Sequence, residues 1–124
     1  MLKFTIIGEL PDLNTYIGEC RRNKYAGNKM KQDTQEAIQY RLRAQYSIRQ
    51  QITRPVTIRF LWVCKNARKD IDNVAFAKKF ILDALVNLKI LPDDSRKWVK
   101  GFTDEFAIDK GRPRVEIYIT EVDQ

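Results

Sequence analysis

Lys69-Asp70-Ile71-Asp72-Asn73 sets two carboxylates two residues apart, between a lysine and an asparagine. A second acidic pair, Asp93-Asp94, follows an amphipathic stretch, and Lys78-Lys79 lies between the two acidic sites. Carboxylate oxygens suit hard divalent cations, and Mg2+ typically takes only one or two carboxylates per ion, with water and phosphate completing its shell. Clustered carboxylates repel one another unless a cation or proton relieves them. A nearby ammonium can stabilise negative charge developing on a phosphate. Lys79 falls two helical turns after Asp72 on nearly the same face, whereas Lys78 points away. Such a set suits metal-assisted phosphodiester hydrolysis, in which metal activates water and neutralises the leaving oxygen. A bare Asp-x-Asp more often caps a helix and complements its dipole. The argument therefore rests on the whole set.

Composition narrows the chemistry further. The 124-residue chain has no histidine and two cysteines, Cys20 and Cys64. Too few soft ligands exist for a Cys/His zinc site, and mechanisms that need an imidazole base fall away. The two cysteines read as reduced bystanders. With 23 Lys+Arg against 16 Asp+Glu the net charge is +7, which favours a polyanionic partner without proving one. No apolar run is long enough to cross a bilayer, and the start MLKFTIIGEL reads as a strand, not a signal peptide. The expectation is a cytoplasmic protein with no membrane contact.

These residues need elements to position them. Residues 2–7 alternate as a first strand, with Leu2, Phe4 and Ile6 on one face. Residues 8–28 carry Gly, Pro, Asn and arginines and read as a long loop. From Asn28 to Gln50 no proline or glycine intervenes, and Ile38, Leu42 and Tyr46 predict a basic helix. Pro55 opens a strand, VTIRFLWVC, with Val56, Ile58, Phe60, Trp62 and Cys64 on one side. After KDIDN, residues Val74, Ala77, Ile81, Ala84, Leu85 and Leu88 form one helical stripe, which Asp70 or Asp72 could cap. Runs at 97–107 and 113–122 read as strands joined around DKGRP. The order β, loop, α, β, α, β, β predicts a single α+β domain over 1–124, a mixed sheet of about four strands with two main helices packed on it.

The stretch KDIDNVAFAKKFILDALVNLKILPDD resembles the signature of RusA-type Holliday-junction resolvases: an acidic DxDN, a lysine, DAL, then a DD turn. The resemblance extends more loosely to LPDLNTY, the basic first helix and the strand entering the motif. It implies a small homodimeric endonuclease of DNA recombination and repair, in a host or phage setting, that resolves four-way junctions by paired symmetric nicks with Mg2+ or Mn2+. Carried onto this chain, Asp70, Asp72 and Asp94 match the catalytic, metal-holding aspartates. Aligned from Asp83-Ala84-Leu85, the catalytic lysine falls on Lys79, with Lys78 as its rival. Counted from DxDN, the helix holds about three more residues than the family form, which puts Phe76 in the lysine slot. Three residues are nearly one turn, so a lysine can still face the site. Asn73 reads as structural support and Asp83 as polar support.

Arg21, Arg22 and Lys24 are candidates for phosphate contact, and Lys69 and Lys78 join them beside the motif. Two symmetric nicks on a two-fold junction suggest a C2 dimer. The main rival is a non-catalytic nucleic-acid-binding module whose aspartates are caps. A structural adaptor with a buried polar cluster is another. Tyr16-Ile17-Gly18 followed by arginines resembles half of a GIY-YIG nuclease motif, but the upstream GIY element is missing.

Overall fold

In the computed structural model, which describes residues 1–46 and 51–123, four strands and four helical segments follow one another along the chain. They are β1 (Leu2–Ile7), α1 (Leu13–Arg22), α2 (Lys24–Gln45), β2 (Val56–Cys64), α3 (Ile71–Ala75), α4 (Lys78–Asn87), β3 (Val99–Ile108) and β4 (Arg114–Glu121). The strands form one mixed sheet in the order β1-β4-β2-β3. β4 runs antiparallel to both β1 and β2, while β3 runs parallel to β2. A parallel pair cannot be closed by a tight turn, and α3 and α4 supply its crossover. KDIDN therefore sits where the central strand ends and the crossover begins.

The inward residues of β2 are the ones the alternation predicts. Val56, Ile58, Phe60 and Trp62 are buried, together with Phe4 and Ile6 of β1 and Val115, Ile117 and Ile119 of β4. Ile38 and Leu42 of α2 and Ile81, Ala84 and Leu85 of α4 close over them in one apolar cluster. Burial of this contiguous apolar surface is the main force holding the helices on the sheet. The opposite sheet face carries Lys3, Arg59, Arg114, Glu116 and Tyr118, tied by ion pairs and by an Arg59 guanidinium 4.0 Å over the Tyr118 ring.

Three expectations change. The segment 8–28 is not a long loop, because α1 occupies Leu13–Arg22 and α2 starts at Lys24. Asp12 caps α1 by accepting from the Thr15 N–H, and Asn23 caps α2 by accepting from the Ala26 N–H. Arg21, Arg22 and Lys24 are thus exposed helix-end residues, not loop residues. α2 extends to Gln45; the expected continuation over 47–50 lies outside the described residues. The helix after KDIDN breaks in two at Phe76-Ala77. Phe76 turns inward there, stacked on Tyr16 at 5.5 Å and edge-on to Phe80 at 5.4 Å between ring centres. The rings of Tyr16, Phe76 and Phe80 pack together where α3 gives way to α4, so Phe76 is an aromatic packing residue.

DKGRP forms the expected turn between the last two strands, which are not paired with each other. β3 and β4 lie on opposite sides of β2, so the turn passes over the end of the central strand, where the Asp109 N–H donates to the Cys64 carbonyl at 2.8 Å. Asp109 also accepts from the Gly111 and Arg112 N–H groups, which fixes the turn from within.

Candidate active site

Asp70 occupies the N-cap of α3, with extended backbone, yet its side chain makes no capping bond. Asp72 lies in the first turn, and both residues are exposed. A capping aspartate normally accepts from the second or third N–H of its helix. These carboxylate oxygens are instead left facing solvent. Local helix capping therefore does not explain them.

The backbone on either side of the pair is held firmly. The Lys69 ammonium stands 2.9 Å from Asp12 Oδ2 and 3.9 Å from Glu9 Oε1. Asn73 Oδ1 accepts from the Asn14 N–H at 2.9 Å. Glu9 Oε2 accepts from the Lys65 N–H at 3.0 Å. Burial pushes the Asp12 carboxyl upward, but Lys69 and Thr15 outweigh it and hold the group below its ordinary value. Lys69 is raised in turn, chiefly by its bond to Asp12. Desolvation beside these charges pushes the Cys64 thiol up, so it stays protonated and unreactive near neutral pH.

The two lysines of Lys78-Lys79 diverge. Lys79 Nζ is 3.1 Å from Asp83 Oδ1 and 3.2 Å from Asp94 Oδ2. Asp83 first, then Asp94, raises its pKa, so the ammonium is charged at any physiological pH. Lys78 turns the other way, 2.6 Å from Asp104 of β3 and 4.7 Å from the centre of the Phe102 ring. Its charge is satisfied by the fold. Asp93 is exposed and Asp94 partly buried, so Asp94 is the member of the pair turned toward the lysine.

Lys79, Asp83 and Asp94 line an open depression with Lys31, Gln35 and Asn87. Gln35 is 9 % exposed, and its amide nitrogen reaches Asp83 Oδ2 at 3.5 Å. Its Oε1 finds no donor among the described residues. Also among the described residues, no three or more acidic or thiol side chains converge closely enough to hold a metal together. Asp70, Asp72 and Asp94 are therefore not gathered into one cluster, because Asp94 is drawn to Lys79. The Asp70 and Asp72 pair nevertheless offers all-oxygen donors without competing capping bonds, which matches the one or two carboxylates Mg2+ uses.

Of the DNA-contact candidates, Arg21, Arg22 and Lys24 are exposed, with Arg22 only 3.9 Å from Glu19. Lys69 and Lys78 are both engaged with carboxylates. Sequence reasoning singled out neither Glu9, Asp12 and Asn14 nor Gln35. The signal for Asp12 and Asn14 was the LPDLN segment, whose aspartate precedes a Leu13, Tyr16, Ile17, Cys20 helical spacing. Gln35 carried none.

No helix among the described residues is long and apolar enough to cross a membrane. No individual curated protein matches the chain significantly. The family model described as endodeoxyribonuclease RusA matches residues 14–120. That span takes in nearly all of α1, the whole of Asp70 to Asp94 and nearly all of β4. The motif at the end of the central strand, the lysine turned to Asp94 and this match together identify the chain as a member of the RusA family of Holliday-junction-resolving endodeoxyribonucleases.

Proposed function

We propose that this chain is a Mg2+-dependent endodeoxyribonuclease that resolves four-way DNA junctions by paired symmetric nicks, acting as a homodimer in recombination and repair. The observation that carries this reading is the arrangement of charge after β2. Two carboxylates lie open at the start of α3, and one ammonium is fixed against Asp94 one helix later. Asp70 and Asp72 would hold the ion, with Mn2+ as a substitute, while Asp94 stays paired with Lys79 instead of joining them as the family pattern implies. An ion held there would supply the chemistry of an activated water and of charge neutralisation at the scissile phosphate.

The protein's own groups do the rest. Lys79, fixed by Asp83 and Asp94, presents a permanent positive charge beside the site where phosphate charge increases. Asp83 orients that ammonium through an i,i+4 contact on α4. Exposed Arg21, Arg22 and Lys24 provide phosphate contacts that concentrate DNA without reading its sequence. A C2 dimer would set two such centres against the two-fold junction.

The test is cleavage of a synthetic four-way junction with and without Mg2+, by the wild type and by Asp70→Asn. Metal-dependent nicking in the wild type, lost in Asp70→Asn with junction binding retained or improved, is the expected result. Full cleavage by Asp70→Asn would overturn the residue assignment. Binding without cleavage in the wild type, at any Mg2+ or Mn2+ concentration, would favour a non-catalytic DNA-binding module.

A further inference from the structure

Lys69 and Asn73 stand immediately outside the two motif aspartates, and both are gripped by the segment between β1 and α1. Asp12 takes Lys69 at 2.9 Å, and the Asn14 N–H donates to Asn73 at 2.9 Å. Upstream, Glu9 holds the Lys65 N–H at 3.0 Å. The contacts therefore fall on residues 65, 69 and 73, with Asp70 and Asp72 lying between the last two.

Capping of α1 explains only part of this. The cap uses Asp12 Oδ1, which accepts from the Thr15 N–H at 2.7 Å. The second oxygen and the Lys69 ammonium are not needed to start α1, whereas Asn73 Oδ1 satisfies the free Asn14 N–H in its first turn and so ties the motif to that helix. The Asp12 side chain is 9 % exposed and that of Lys69 38 %, so their pairing is partly shielded from water and salt, on the Asp12 side. With Oδ1 fixed by Thr15, the carboxylate cannot rotate away from Lys69. Asp70, by contrast, has no capping bond of its own, so the placement of its carboxylate depends on the backbone that flanks it.

We propose that the segment Glu9–Asn14 is a clamp that positions Asp70 and Asp72, with Asp12, Lys69 and Asn73 as its positioning residues. The inference rests on the metal-nuclease reading of the site. It reassigns Lys69 from phosphate contact to internal support, because its charge is committed to Asp12. Loss of either hold lets the five-residue motif pivot about the other. Groups that orient metal ligands in this way typically change metal affinity or activity by about 10–100-fold when removed.

The experiment uses the full chain and three variants, Lys69→Met, Lys69→Arg and Asn73→Ala. It measures junction cleavage against Mg2+ concentration, junction binding without divalent metal, and amide hydrogen exchange across 70–76 and across β2. Lys69→Met and Asn73→Ala are expected to raise the Mg2+ needed for half-maximal cleavage at least about tenfold. Metal-free junction binding should stay within about twofold, and exchange should quicken at 70–76 while β2 stays protected. Lys69→Arg, which keeps a cation for Asp12, should restore most of the activity. Weaker metal-free binding by Lys69→Met with an unchanged Mg2+ requirement would overturn the clamp in favour of phosphate contact. Unchanged exchange at 70–76 in both Lys69→Met and Asn73→Ala would also overturn it, whether or not the wild type cleaves. A wild type that never cleaves, with faster exchange at 70–76 in those variants, removes the nuclease reading and leaves the clamp standing.

Discussion

Lys79 Nζ lies 3.2 Å from Asp94 Oδ2, joining the first turn of α4 to the turn that follows it, fifteen positions along the chain. The same ammonium is 3.1 Å from Asp83, so it is held from two directions although its side chain is 62 % exposed. Exposed ion pairs contribute only about 0–1 kcal/mol to stability, so this triad is a poor structural device and a better chemical one.

Replacing Lys79 by alanine should therefore separate activity from stability. Junction cleavage is expected to fall by at least about a hundredfold, the scale of losing one electrostatic stabiliser of a transition state. The unfolding free energy from urea titration should change by less than about 1 kcal/mol. Lys79→Arg should recover some activity but not all, since a planar guanidinium does not reproduce the ammonium between two carboxylates. Stopped or quenched single-turnover cleavage on a labelled junction reads the effect directly.

Lys78 gives the opposite result. It is paired at 2.6 Å with Asp104, which also accepts from the Trp62 indole N–H at 2.8 Å, and it lies near the Phe60 and Phe102 rings. Lys78→Ala removes a partly buried charge partner and is expected to cost about 1–3 kcal/mol in chemical denaturation. Cleavage per folded molecule should stay within about threefold of wild type. Loss of cleavage without loss of stability would exchange the two lysines' roles.

Glu116 makes stability depend on pH. It is 9 % exposed on the sheet face away from the helices. The Tyr118 hydroxyl, then Arg114 and Lys3, lower its pKa from 4.5 to about 2, against the opposing effect of burial. A depressed folded-state pKa means that the unfolded chain binds the proton more readily between these values, so stability rises with pH there. The contribution is complete above about 4.5 and is lost as pH falls toward about 2. Urea unfolding at pH 2.5, 4 and 7 should show this slope, and Glu116→Gln should flatten it while costing about 1–3 kcal/mol at pH 7.

Gly27 marks the closest approach of α1 to α2. A Cβ there would meet Cys20 Sγ at 2.6 Å and Cys20 Cα at 3.2 Å. Gly27→Ala gains roughly 1 kcal/mol of helix propensity but loses more to this overlap, for a net destabilisation of about 1 kcal/mol. In a Cys20→Ala background the sulfur is gone and the same substitution should become close to neutral. A thermal-melt double-mutant cycle checks the coupling.

The elements legible from sequence were those with a strong burial pattern. β2 and β4 alternate because one face of each lies against the helices, and the stripe from Val74 to Leu88 did locate the crossover. α1 was missed because it buries no residue fully and carries Gly18 in its middle, so its capping by Asp12 was the stronger sign. The break at Phe76-Ala77 was hidden for a different reason. No proline or glycine stands there, and at that point Phe76 packs on Tyr16, a residue sixty positions earlier. In the candidate site, the acidic residues and Lys79 followed from spacing and family resemblance. Their supports, Asp12, Asn14 and Gln35, come from elements distant in the chain, and sequence spacing carries no trace of such contacts.

The sheet order bears on when the protein can become active during its synthesis. Ile119 pairs with Leu2 on one side and with Ile58 on the other, so within the sheet β4 lies between the first strand and the central one. Gly8, just ahead of the residues that grip the motif, is itself anchored by donating to the Pro113 carbonyl at 2.8 Å. A nascent chain that has emerged only through Asp94 already carries every acidic residue of the site. It has neither the strand nor the anchor that would hold them in place. On the proposed nuclease reading, a chain ending at Asp94 is expected to leave junctions uncut in a cleavage assay, because β4 and the Gly8 anchor are missing.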